Sequence, residues 1–101
     1  MFRREELRKE FLDALLLLGK YLFEQADYAQ AAEVYQRILA QDNYLEIAHR
    51  ELMRCLARQG ETSQALRHYQ MMAEVLQREV GAPPARETKT LYERLKRGEQ
   101  V

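Results

Sequence analysis

Cysteine is nearly absent: Cys55 stands alone, so no internal disulfide can staple the fold and no paired-thiolate metal site can form. Proline and glycine are scarce too, at two and four residues in 101, and with 47% hydrophobic and 32% charged residues this argues against a disordered chain. Neither sign of charge prevails, since sixteen basic side chains meet sixteen acidic ones. A neutral molecule has no long-range field to gather nucleic acid or an anionic membrane. The longest apolar run, Ala14 to Gly19, falls far short of the about 20 residues that a membrane helix needs, and no charged-then-apolar leader opens the sequence. A cytoplasmic location is therefore expected. Glycine-rich phosphate loops, paired Cys or His ligands and any nucleophile with an evident base are also missing, so no enzyme activity, cofactor or metal is expected.

What remains is a chain long enough for one domain with one core. Apolar residues recur at spacings of three and four, which predicts five helices. The first spans about 3–26, with Leu7, Phe11, Leu15, Leu18 and Leu22 on one face and Leu12, Leu16 and Phe23 widening it. The second, about 28–41, is started by Asp27 with Gln30 three residues on and presents Ala31, Tyr35, Ile38 and Leu39. Asn43 and Glu46 make a similar capping pair for the third, about 44–59, whose face is Leu45, Ala48, Leu52, Cys55 and Leu56. Gly60 ends it. The fourth, about 63–79, takes Thr62 as its cap and carries Ala65, Leu66, Tyr69, Met72, Ala73 and Leu76; Gly81 closes it. Pro83 and Pro84 stiffen a connector to a fifth helix, about 87–97, with Leu91, Tyr92 and Leu95 inward.

The first two helices resemble the next two. Ala31 and Tyr35 recur as Ala65 and Tyr69, 34 residues on, which is the tetratricopeptide period, and Leu18 and Leu22 recur as Leu52 and Leu56. Two antiparallel helices approach closely only where small side chains face each other, and Gly19 with Ala31 is expected to do this in the first hairpin. Asn43, Met53 and Met72 depart from the tetratricopeptide pattern, replacing a proline, a small residue and an alanine. Two repeats make a marginal stack, so the fifth helix is expected to cover the exposed side of the fourth. The expected architecture is all-α, a tetratricopeptide-like right-handed array of two helical hairpins plus a C-terminal capping helix. Residues 1–101 form a single domain in this reading, with repeat 1 at about 12–45, repeat 2 at about 46–79 and the capping helix at about 86–97.

The order of residues Ala65-Leu66, Tyr69, Glu79-Val80-Gly81, Pro84, Glu87-Thr88 and Leu91-Tyr92-Glu93-Arg94-Leu95 resembles the bacterial transcriptional activator domain, a helical module of antibiotic regulatory protein activators. Asp27-Tyr28, Ala31, Tyr35, Leu39, Glu46, Ala48, His49, Leu52, Met53 and Gly60 fit the same pattern, whereas Ala85 and Arg86 stand where the family often has a small polar residue and a second proline. The resemblance implies a regulatory protein-interaction domain of bacterial transcription control. Its partners would be a second copy, an adjoining regulator domain or the transcription machinery. No winged-helix sequence precedes Phe2, so direct nucleic-acid contact is not expected from this segment. A free-standing tetratricopeptide adaptor that binds a peptide is the alternative, and the tail after Gly81 counts against it.

Arg50, Arg54 and Arg58 repeat every four residues and so share one face of the third helix. In a tetratricopeptide arrangement the first helix of each pair lines the concave groove, which places these arginines there with Lys20 nearby. Lys20, Arg50, Arg54 and Arg58 are therefore the candidate protein-binding residues, suited to an acidic or carboxylate-bearing segment. The plainer alternative is a solvated face paired with Glu46 and Glu51. His49 and His68 are expected to approach each other in a structural role, Cys55 to be a small buried hydrophobe, and Met71 rather than Met72 to face outward.

Overall fold

The computed structural model describes residues 2–101, and side chains from Arg3 onward. Five helices follow one another: α1 (Phe2–Glu24), α2 (Tyr28–Gln41), α3 (Glu46–Arg58), α4 (Thr62–Glu79) and α5 (Arg86–Lys96), with no strand among the described residues. Each of α1 to α3 packs mainly on its successor, and α5 returns to lie on both α3 and α4. The result is a slab of 46 × 36 × 17 Å.

The turns explain the antiparallel hairpins. At the end of α1 the Asp27 amide donates to the Leu22 carbonyl and the Ala26 amide to that of Phe23, with Ala26 left-handed at φ 60°. Gly60 does the same after α3 at φ 80°, where the Glu61 amide donates to Leu56 and the Gly60 amide to Ala57. Both are left-handed helix stops that reverse the chain in a few residues. Asp27 caps α2 as expected, its carboxylate accepting from the Gln30 amide at 3.4 Å.

Two expected caps are not formed. Leu45 occupies the N-cap of α3 without a side-chain bond, and Glu46, the expected partner of Asn43 in the cap, reaches instead to α5 and its connector, accepting from Thr88 and the Ala85 amide. Thr62 is the first residue of α4 rather than its cap, and Glu61 precedes it without capping.

One cluster joins the first three helices through Leu12, Leu15, Ala31, Tyr35, Ile38, Ala48, Leu52 and Cys55. Each large apolar side chain fully buried there contributes roughly 1.5–3 kcal/mol. A second cluster holds α5, with Leu91 and Leu95 against Met53 and Ala65. Met53 is large because α5 needs filling on that side. Tyr92 stacks on Tyr69 with ring centroids 4.0 Å apart, so the closing helix covers the flank of α4 with an aromatic pair.

Helix α1 corrects the expectation most. Leu12 and Leu15 are buried, but Leu7, Phe11 and Leu18 are exposed, because α2 covers only the stripe through Leu12, Leu15 and Gly19. Gly19 does allow close approach, yet its neighbour is the Tyr35 ring rather than Ala31.

Candidate protein-binding groove

A groove of about 600 Å³ opens between α1 and α3, with Tyr35 of α2 at its floor. Leu16, Leu17 and Ile47 supply apolar walls, and Leu17 and Ile47 are exposed. Asp13 and Lys20 come from α1, one turn apart from the leucines, while Glu51 and Arg54 come from α3. The surface is therefore mostly apolar with both signs of charge at its margins, a pattern that suits a protein segment better than a polyanion.

The four sequence candidates part company here. Lys20 and Arg54 line the groove. Among the described residues Lys20 forms no ion pair. Arg54 is half-buried and committed: Nη1 donates to Glu51 at 2.8 Å, Nε and Nη2 donate to the Val101 main-chain oxygen at 3.1 and 3.0 Å, and the guanidinium lies 4.3 Å from the Phe23 ring centroid.

Arg58 continues that contact away from the groove. It donates to the Tyr28 hydroxyl at 2.9 Å and to Val101 at 3.3 Å, it approaches the Phe23 and Tyr28 rings, and its Nε is buried without a partner. The paired rings meet edge to face, 5.0 Å apart, so the two arginines sit between an aromatic corner and the last residue of the chain. Arg50 faces α5: it donates to Thr88 Oγ1 at 3.1 Å, and that hydroxyl donates to Glu46 at 2.9 Å. The Ala85 amide donates to the same carboxylate oxygen at 2.8 Å, and Thr88 is fully buried. Spacing of four put the three arginines on one helix, but the helix meets different neighbours along its length.

The sequence reading missed Leu17, Ile47 and Asp13. A signal existed in the surplus of leucine in α1, more than one core stripe can absorb.

Behind the groove, His49 and His68 bridge α3 and α4, with His49 Nδ1 and His68 Nε2 2.8 Å apart. The Asn43 carbonyl lies 2.7 Å from His49 Nε2 and can only accept, so His49 carries its proton on Nε2 and accepts at Nδ1 from His68. Burial holds both rings below the usual imidazole range, His68 down to about 4 with the His49 charge adding to the effect. Cys55 is buried and its thiol is pushed up to about 12 by burial. Such a thiol is a packing group, not a nucleophile. Met71 is exposed and Met72 buried.

No group of three or more acidic, histidine or cysteine side chains could hold a metal ion among the described residues, and no helix there is long and apolar enough to cross a membrane. In comparison with known proteins, a family model described as the bacterial transcriptional activator domain matches residues 2–96. No curated protein and no solved structure matches the chain.

Proposed function

We propose that this chain, which belongs to the bacterial transcriptional activator domain family, is the protein-binding regulatory part of a transcriptional activator and docks its partner in the groove between α1 and α3. The partner is a protein segment with apolar side chains for Leu17 and Ile47 and a carboxylate for Lys20, which has no ion pair among the described residues. Arg54 bounds the site. Arg50 and Arg58 serve it indirectly, by holding α5 and the tail against α3. The role is regulatory and non-catalytic, inside the cell, and needs no cofactor.

The observation that supports this most is the open groove itself, an apolar trough with Lys20 at its margin on a domain whose family regulates transcription. Tethered to an unrelated DNA-binding domain at a reporter promoter in a bacterial host, the chain should raise transcription. Ile47→Glu and Lys20→Glu should abolish that rise while leaving the helical melt unchanged. A reporter that responds equally to the parent and to both variants would exclude the groove as the contact.

A further inference from the structure

We propose that a second copy of this chain docks along the outer face of α1, forming an antiparallel helix pair. This names a self-association partner within the interaction role given above and rests on that role, but it uses a different face of α1 from the groove.

Leu7, Phe11, Ala14, Leu18 and Tyr21 follow one another at spacings of four, three, four and three, and all five are exposed, with Leu7 at 54%, Phe11 at 46%, Leu18 at 42% and Tyr21 at 58%. That alternation is the seam of a two-helix coiled coil, with Phe11 and Leu18 as one set of knobs and Leu7, Ala14 and Tyr21 as the other. The seam is about 21 Å long. It is distinct from the stripe through Leu12, Leu15 and Gly19 that meets α2, and from Leu16, Leu17 and Lys20 on the groove. A helix that is apolar beyond the face its own fold covers has surface to bury elsewhere.

Charge and volume select the second copy and its direction. In the antiparallel register, Leu7 lies opposite Leu18 of the other copy and Phe11 opposite Ala14, so the bulkiest side chain of the seam's centre meets the smallest and both ends are equivalent. Arg3 then flanks Glu24 of the other copy at each end, opposite charges beside an apolar seam. The parallel register fails on both counts, because it places Phe11 on Phe11 and Arg3 beside Arg8. An isologous two-fold pair of this kind closes on itself.

Sedimentation equilibrium of the full chain over a concentration series should show reversible monomer and dimer. Phe11→Glu and Leu18→Glu should each shift it to monomer without changing the circular dichroism melt, since neither side chain is in the monomer's core. Arg3→Glu should weaken the dimer at low salt, and Arg3→Glu with Glu24→Arg should restore it, which keeps the test open if a seam variant misfolds. Leu7→Cys should cross-link under mild oxidation to a Leu18→Cys chain but not to itself, the like positions being about 16 Å apart in this register. A monomer at every concentration overturns the proposal. So does a dimer that survives Phe11→Glu and Leu18→Glu, or efficient cross-linking of Leu7→Cys to itself. Because the groove variants Ile47→Glu and Lys20→Glu lie on another face, they should remain dimeric, and loss of reporter activity with an intact dimer separates the two proposals.

Discussion

The ring of Tyr35 stands where the side chain of Gly19 would begin: a Cβ on Gly19 would lie 2.7 Å from Cζ of the tyrosine and 3.0 Å from its two neighbours. The ring is buried, so glycine is what lets α1 and α2 close over the floor of the groove. Gly19→Ala should destabilise the protein by about 1–3 kcal/mol through overpacking, outweighing the roughly 1 kcal/mol that alanine adds in a helix interior. In a Tyr35→Leu background the same change should become neutral or stabilising. Urea melts of the four proteins in this cycle check it, and additivity would contradict the contact.

The left-handed turns give a pair of opposite expectations. Ala26 and Gly60 have the same sign of φ at equivalent points of the two hairpins. A left-handed non-glycine residue costs roughly 1–2 kcal/mol, offset in part by the extra freedom of glycine in the unfolded chain. Ala26→Gly should therefore raise stability by up to about 1 kcal/mol and Gly60→Ala should lower it by about as much. Nothing lies within 4 Å of a Cβ at Gly60, so the second change tests backbone conformation alone.

Helix number, order and the left-handed stop at Gly60 follow from apolar period and glycine placement, and the family resemblance agrees with the family model over residues 2–96. The burial of Leu18 was misjudged because periodicity shows that a face is apolar without showing whether a neighbour covers it. The Asn43–Glu46 capping pair failed for a related reason: a side chain that can cap can also be claimed by tertiary partners, as the Glu46 carboxylate is by Thr88 and the Ala85 amide. Of the four candidates, the place of Lys20 and Arg54 beside the groove follows from the tetratricopeptide arrangement, in which the first helix of each pair lines the concave side. The engagement of Arg50 and Arg58 was not, because it depends on where α5 and Val101 come to rest.

Thr88 links α5 to α3 through Glu46 and Arg50. Thr88→Val keeps its shape and removes the hydroxyl, leaving the guanidinium without this partner in a half-buried place. A loss of about 1–3 kcal/mol is expected. Hydrogen exchange should rise first in the amides of α5, with α2 retaining protection, and uniform loss of protection would point to a different role.

Acid should loosen the His49–His68 bridge. Both imidazoles are held below their ordinary value of 6.5 by burial in the folded protein, so the unfolded chain binds more protons just below that pH. Their contribution to stability is present above pH 6.5 and is lost as the pH falls toward about 4. The urea midpoint should drop between pH 7 and pH 5, and His68→Gln should flatten that drop. An unchanged slope in the variant would assign acid sensitivity to other groups.

Most packing in this domain joins helices adjacent along the chain, and α5 also reaches back past α4 to α3. Short loops closing in sequence keep the entropic cost of each step small, so such a topology folds in roughly microseconds to milliseconds. The order need not begin at an end: α2 and α3 meet at the centre, and assembly can spread from there in both directions. Helix α5 is placed to dock last, after α3 and α4 have formed its seat, and to leave first on heating. The aromatic stack of Tyr69 and Tyr92 is then a latch whose fluorescence should report release of the fifth helix before the hairpins melt.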